Sequence, residues 1–298
     1  MKFVFPYFSI ALAFALFSNS LVSQERDTTQ TSLLWEISGK NIKQPSYLYG
    51  TIHLSDRCVF AYDSIVEQKL YECDAYAMEI LMDNIDAETL KKATIMEDNS
   101  LDQLISEEDF AFLDSVFKEK LGVSVMLLNK VKPFFIAAEL MQGAAEGERS
   151  IPLDMHFLRL AKKAGKITLG IEKLMDQVKA VDKIPLEQQV EMLMKGIKDT
   201  VFSDESFEEM LDAYISADLE KMAVMTNDTI YPDQFHKALN TDRNKNMALS
   251  IARIIKEQPA FCAVGAAHLG GKEGIIYLLR QKGLILKPIP FSFKQTNR

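Results

Sequence analysis

The sequence predicts an α/β protein: one domain with a central mixed sheet built from two similar halves and a largely helical insertion between them. Runs of strand-forming residues occupy both ends of the 298-residue chain and its middle, and segments with helical spacing fill the rest. An apolar run followed by Gly-x-x-His-Leu also occurs twice, at residues 50–54 and 265–269. The repeated pattern predicts that both ends of the chain contribute to one site.

Each predicted strand has clear boundaries. Residues 33–38 and 46–50 flank a turn that contains glycine and proline, so they predict a hairpin. Further strands are predicted at residues 74–80, 166–172, 261–265 and 284–288. Helices are predicted by apolar spacing and by capping residues at residues 62–71, 106–117, 131–140, 151–164, 188–195, 207–215, 218–226, 242–255 and 271–282. The insertion spans about residues 87–147.

Charge and cysteine content exclude some classes of protein. A net charge of −8 argues against a general nucleic-acid binder, which needs a basic face for phosphates. Three scattered cysteines, Cys58, Cys73 and Cys262, make neither a disulfide framework nor a Cys-x-x-Cys site. A single bond between Cys58 and Cys73 stays open.

The N-terminal residues are typical of a secretory signal peptide. Residues 1–23 combine Lys2, a short apolar run and small residues near Ser23, where we expect cleavage. The run is shorter than the roughly 20 apolar residues of a membrane span, although an uncleaved anchor is the alternative. We therefore expect a secreted or periplasmic protein without a stable membrane span, a flexible segment at residues 24–32 and a domain at residues 33–298.

Four side chains at predicted strand ends are candidates for chemistry. A lone histidine in an apolar stretch is more often a core residue, and His156 and His236 are assigned to the surface or to structure. His53 and His268 differ because each follows a strand and a glycine, while Glu79 and Glu172 end two other strands. The carboxyl edge of an α/β sheet is where ligands bind.

Two imidazoles and a carboxylate form an open site for zinc, manganese or iron. A metal-bound water becomes a nucleophile near neutral pH, and a second carboxylate can act as its base. Arg243 could orient a carboxylate or stabilise an oxyanion. The alternatives are a solvated strand end for each glutamate and a surface position for Arg243. No Gly-x-Ser-x-Gly, His-Glu-x-x-His, P-loop or dinucleotide motif competes with this site.

Eight segments together resemble the TraB/GumN family, which is related to the Tiki proteins; they are residues 34–37, 47–53, 74–79, 132–134, 153–154, 170–172, 243–244 and 264–271. The resemblance implies a single α/β domain and manganese- or cobalt-dependent proteolysis. It implies that His53 and His268 are metal ligands, Glu79 a ligand or base, and Glu172 and Arg243 supporting catalytic groups.

The expected function is a metal-dependent hydrolase, in the first place a peptidase with a peptide or protein substrate. Fold-level analogy does not transfer chemistry by itself. The alternative from another class is a non-catalytic protein that binds haem, a metal or a peptide in the same cleft. An ester hydrolase is a third possibility, which a substrate panel would separate from a peptidase.

Overall fold

A six-stranded mixed sheet forms the centre of the protein in the computed structural model, which describes residues 32–54, 56–144, 151–198, 204–225 and 236–294. The strands are β1 (Leu34–Gly39), β2 (Ser46–Thr51), β3 (Ala75–Met78), β4 (Ile167–Gly170), β5 (Ala260–Gly265) and β6 (Leu284–Pro288). Their order across the sheet is β4-β3-β5-β2-β1-β6. The predicted one-domain α/β fold is confirmed.

Strand direction brings four chain segments to one edge of the sheet. β1 pairs antiparallel with β2, which confirms the predicted hairpin, and with β6. β2, β5, β3 and β4 are parallel, and Thr51 of β2 lies opposite Gly265 of β5. Because parallel strands end at the same edge, the residues after these four strands meet there. These residues include His53, Glu79, Glu172 and His268.

Helices fill the connections. They are α1 (Ile65–Glu72), α2 (Ala87–Thr94), α3 (Leu101–Leu104), α4 (Glu107–Leu121), α5 (Pro133–Ala144), α6 (Leu153–Lys163), α7 (Leu174–Asp182), α8 (Leu186–Lys198), α9 (Asp204–Ile215), α10 (Leu219–Met225), α11 (Asp242–Glu257) and α12 (Ile275–Gln281). A π-helical turn, Lys237–Thr241, leads directly into α11. Short 3₁₀ turns lie at Arg57–Phe60, Met82–Asn84, Val125–Leu128 and Ala266–His268.

Several boundaries follow from the capping chemistry that the sequence predicts. The Ser106 hydroxyl accepts a hydrogen bond from the Asp109 N–H at the start of α4. Pro133 is the first residue of α5, where a missing N–H costs nothing. After α6, Gly165 adopts a φ of +68°, which favours glycine.

The described residues bury their apolar side chains in two clusters. The first cluster surrounds the sheet and includes Trp35, Tyr76 and Phe261. The second belongs mainly to the helices of the insertion and to α7 and α8, and it includes Phe117 and Phe135. The insertion is therefore more than a loop, because it has an apolar core of its own.

The segment after β5 differs from the prediction. The sequence predicts a helix from residue 271, but α12 begins at Ile275 and His268 ends a 3₁₀ turn. Gly271 has a φ of +77°, and a Cβ on Gly274 would come 2.1 Å from the carbonyl oxygen of Gly270. Glycines are costly inside a helix, so the segment makes a tight turn first.

Two further expectations concern the cysteines and the N-terminus. Cys58, Cys73 and Cys262 are buried and none of them forms a disulfide, so the bond between Cys58 and Cys73 is absent from this structure. The predicted signal peptide, residues 1–23, lies outside the described residues and stays a prediction. Within the described ranges, every helix is too short or too polar to cross a membrane.

Candidate functional site

The glycines of the two Gly-x-x-His segments allow those segments to pack against each other. A Cβ on Gly50 would lie 2.7 Å from Cδ1 of Leu269 and 3.1 Å from Cα of Ala266. The buried Tyr214 hydroxyl donates a hydrogen bond of 3.0 Å to the Gly50 carbonyl. The first glycine is therefore needed for close approach of the second segment.

Gly265 has the corresponding role in the second segment. A Cβ there would lie 3.2 Å from Oε1 of Glu79 and 3.4 Å from Cδ2 of His268. The Gly265 N–H also donates to Oε1 of Glu79 over 2.6 Å. The absence of a side chain thus lets the glutamate and the imidazole share one small space.

His53 is buried and bonded through one ring nitrogen only. Its Nδ1 lies 2.8 Å from Oδ1 of Asp154, the second residue of α6, and its side chain is 2% exposed. Nε2 is buried and has no hydrogen-bond partner among the described residues. The Tyr76 hydroxyl donates to the Asp154 carbonyl oxygen over 2.9 Å and so fixes the start of α6.

The partner of Nδ1 decides which nitrogen of His53 can act. A carboxylate accepts hydrogen bonds, so Nδ1 carries the proton and Nε2 keeps its lone pair. The same arrangement, a carboxylate behind an imidazole, orients general bases and metal-bound histidines in enzymes. Of the two ring nitrogens, only Nε2 of His53 is left without a partner among the described residues.

Arg243 of α11 lies between the two glutamates. Its Nη2 is 2.7 Å from Oε2 of both Glu79 and Glu172, and its Nε is 3.1 Å from Oε2 of Glu172. Burial alone would lower the pKa of the guanidinium, but the charges of the two glutamates outweigh it and raise that pKa. The three side chains form a buried cluster with one net negative charge.

Gln177 of α7 completes the arginine cluster. Its Nε2 donates to Oε2 of Glu172 over 3.0 Å and lies 3.5 Å from Oε2 of Glu79. The residue is 2% exposed, and its Oε1 has no hydrogen-bond partner in the described part of the chain. The amide nitrogen thus donates to the carboxylates, while the amide oxygen accepts no hydrogen bond from the described residues.

His268 contacts the arginine from the other side. Its Nδ1 lies 2.7 Å from Oδ1 of Asn244 and 3.0 Å from Oδ1 of Asn240, while Nε2 lies 3.5 Å from Nη1 of Arg243. Burial, and then the charge of Arg243, lower the pKa of His268 to about 3. This imidazole is neutral near pH 7 and cannot donate a proton from Nε2.

The π-helical turn before α11 supplies part of this arrangement. Asn240 belongs to it, and the Leu239 carbonyl oxygen accepts a hydrogen bond of 3.3 Å from Nη1 of Arg243. Turns of this kind are rare and occur often at functional sites. Through this turn, the Leu239 carbonyl contacts Arg243 and the Asn240 side chain contacts His268.

The predicted metal ligands do not share one set of free donor atoms. Nε2 of His53 is unpaired, but both oxygens of Glu79 are engaged, by Gly265 and by Arg243. Across the described ranges, no group of three or more His, Cys, Asp or Glu side chains is arranged to hold a metal ion. The residues therefore do not fit a three-ligand site in this arrangement, and the metal stays a prediction.

The sequence alone predicts no role for Asp154, Asn244 and Gln177. Asp154 and Asn244 stand in segments that carry the family resemblance, so the sequence marks their positions but does not reveal their partners. Nothing in the sequence singles out Gln177, an amide within a helix. Its position becomes informative only once α7 is seen to face the two glutamates.

The model of the TraB/PrgY/gumN family matches residues 33–288, which include all the side chains described above. No curated protein and no solved structure shows a significant match. With a match over nearly all of the sheet and its connections, the chain belongs to the TraB/PrgY/gumN family.

Proposed function

We propose that the protein is a hydrolase of peptide bonds and that His53 is its reacting group. The observation that carries the proposal is the buried, unpaired Nε2 of His53, with Nδ1 held by Asp154. An unpaired buried polar atom costs about 1–3 kcal/mol, so such atoms are kept mainly where function uses them. Asp154 fixes the orientation of the His53 ring, which a general base also needs.

In the proposed reaction, Nε2 of His53 takes a proton from a water molecule as the water oxygen attacks the carbonyl carbon of the peptide. Asp154 stabilises the imidazolium that forms. The same proton then passes from Nε2 to the leaving nitrogen as the C–N bond breaks. The products are a carboxylic acid and an amine, and His53 returns to its starting state.

The arginine cluster has a supporting role in this proposal. Glu79, Glu172 and Arg243 satisfy one another, so they hold the ends of β3, β4 and β5 together rather than react. His268, neutral and anchored by Asn244, fills the remaining side of the guanidinium. We assign Glu172 and Arg243 to positioning, in keeping with the supporting part that the resemblance implies.

The family resemblance adds a divalent metal, manganese or cobalt, to the proposal. The resemblance implies His53 and His268 as its ligands and an acidified water as its contribution, but only Nε2 of His53 is unpaired, because Nε2 of His268 faces Arg243. No step above depends on it, because Glu79 offers no free oxygen. Activity after chelation, and after return of manganese or cobalt, tests this part separately.

A non-catalytic binding protein is the second candidate, because the same unpaired Nε2 is a potential ligand for haem iron or a metal. Haem titration separates the two candidates. A Soret band that is lost in His53→Gln would favour binding, whereas peptide cleavage without such a band favours the hydrolase.

The test of the proposed hydrolase is cleavage of a panel of quenched fluorescent peptides by the protein without residues 1–23. We expect His53→Gln to lower kcat/KM by about 10²–10⁴-fold, the usual contribution of a general base. His156→Gln is the matched control, since the His156 ring meets Phe60 edge-on and Phe157 at a tilt. Equal activity of both variants would contradict the proposal.

We also propose that the protein acts outside the cytoplasm, in the periplasm or as a secreted enzyme. The support is the charge, apolar run and small residues of residues 1–23. N-terminal sequencing of the exported protein should give a start near Gln24. Recovery of the chain with Met1 intact would contradict cleavage.

A further inference from the structure

We propose that Gln177 determines specificity: its Oε1 accepts a hydrogen bond from a backbone N–H of the substrate, so that the site prefers peptides to esters. The inference rests on the proposed function and deepens it. Three buried side-chain atoms among the described residues lack a partner: Nε2 of His53, Oε1 of Gln177 and Oε1 of Gln188. The first two belong to the carboxyl edge of the sheet, and the third to half-buried Gln188 of α8.

The orientation of the Gln177 amide is fixed by its neighbours. Two carboxylate oxygens, from Glu172 and Glu79, lie 3.0 and 3.5 Å from Nε2. Rotating the amide by half a turn would place its oxygen against these two anions, which offer no proton to it. The nitrogen therefore faces the glutamates, and the oxygen faces away from them.

A second buried glutamine shows what a purely structural role looks like. Gln189, like Gln177, is 2% exposed. Its Oε1 accepts from the Phe134 N–H over 3.3 Å, and its Nε2 donates to the Ile184 carbonyl over 2.9 Å. Both ends of Gln189 are thus used within the fold, whereas one end of Gln177 is left for a ligand.

The unpaired oxygen selects between chemical classes of substrate. A peptide offers backbone N–H donors, and an ester has an oxygen in place of one of them. An ester oxygen facing Oε1 of Gln177 would leave that acceptor buried and unpaired. Sites that hydrogen-bond one substrate group discriminate strongly against analogues that lack it. The two unpaired atoms then have different tasks, reaction for His53 and recognition for Gln177.

An N-methyl scan tests the inference. The probe is the panel peptide that the wild-type protein cleaves fastest or, if it cleaves none, binds most tightly, with each backbone N–H replaced in turn by N–CH₃. We expect one position at which methylation lowers kcat/KM, or raises Kd, by about tenfold. In Gln177→Met, kcat/KM for the unmethylated peptide should fall, or its Kd rise, by about tenfold. Methylation at that position should then have no further effect.

Gln189→Met is the matched control, and we expect it to keep the full N-methyl effect even if it lowers the melting temperature. The scan on the wild-type protein needs no variant, so misfolding of Gln177→Met cannot hide the result. Cleavage without an N–H-dependent position, or an equal N-methyl effect in Gln177→Met, overturns this inference alone. N–H-dependent binding without cleavage overturns the hydrolase alone, and a wild-type protein that neither cleaves nor binds any peptide overturns both.

Discussion

His53 and His268 occupy equivalent positions in two similar segments, but their surroundings make them chemically different. His53 has a carboxylate, Asp154, behind Nδ1 and no partner at Nε2. His268 has the amide of Asn244 behind Nδ1, and a guanidinium faces its Nε2. A carboxylate supports a positive charge on the ring, and a guanidinium opposes one. Similar sequence around two histidines therefore does not imply similar chemistry.

The difference supports the proposal of a reacting half at His53 and a supporting half at His268. Changes near His53 should affect the reaction more than folding, and changes near His268 should affect folding first. Arg243 stabilises the half that contains His268, because it is the cation with which both buried glutamates pair.

The largest expected effect follows removal of this cation. Arg243→Met would leave Glu79 and Glu172 buried without a counter-charge, and breaking buried ion pairs in this way costs about 3–5 kcal/mol. Arg253→Met, on the exposed side of the same helix, should change the free energy of unfolding by less than about 0.5 kcal/mol. Urea unfolding of both variants measures the difference, and equal stability would contradict the buried cluster.

The reacting half should respond in the opposite way. Asp154→Asn keeps the shape of the side chain but removes the charge that stabilises an imidazolium, so we expect kcat/KM to fall about a hundredfold. The melting temperature should change much less than in Arg243→Met. Asp176→Asn, an exposed carboxylate in α7, is the control and should keep activity. Full activity of Asp154→Asn would show that His53 does not act as a base.

The packing between the two halves can be tested at Gly50. In Gly50→Ala the new methyl group would lie 2.7 Å from Cδ1 of Leu269 and 3.1 Å from Cα of Ala266, so the Leu269 side chain must move and the backbone before His268 must give by a few tenths of an ångström. Overpacking of this kind costs about 2 kcal/mol in the free energy of unfolding. Thermal unfolding measures it, and a variant as stable as the wild type would mean that the two segments do not pack as described.

Taken per pH unit, the smallest effect is the pH dependence that His268 contributes to the free energy of unfolding. Its folded pKa of about 3 lies below the ordinary 6.5, so between these values the unfolded chain binds a proton that the folded protein does not. The free energy of unfolding should therefore fall as the pH is lowered through this window, by up to about 1.4 kcal/mol per pH unit. His268→Gln should remove this contribution in chelator-treated protein; an unchanged slope would contradict a buried neutral His268.

Much of the fold was predictable because it depends on local signals. The apolar run after Gly283 predicts a strand at residues 284–288, Pro133 and Ser106 mark helix starts, and Gly165 marks a helix end; all four predictions are confirmed. The boundary after β5 was wrong because three closely spaced glycines override a short apolar pattern.

The candidate site was only partly predictable, because its chemistry depends on pairings between distant residues. The sequence predicted Glu79, Glu172 and His268 at strand ends and named Arg243 only as a possible partner. The contacts that link these residues span 25 to 164 positions along the chain. Asp154 is 101 positions from His53, and no local pattern connects them. Which histidine keeps a free nitrogen is decided by these long-range partners alone.

The most direct test of the difference between the two histidines is the protonation of their ring nitrogens, measured by ¹⁵N NMR of histidine-labelled protein at pH 8. The chain has four histidines, so His53→Gln and His268→Gln assign the two signals. We predict that His53 carries its proton on Nδ1, with Nε2 unprotonated, and that peptide substrate or inhibitor shifts the Nε2 signal of His53 more than that of His268. A proton on Nε2 of His53, or a larger shift at His268, would contradict the assignment of His53 as the reacting group.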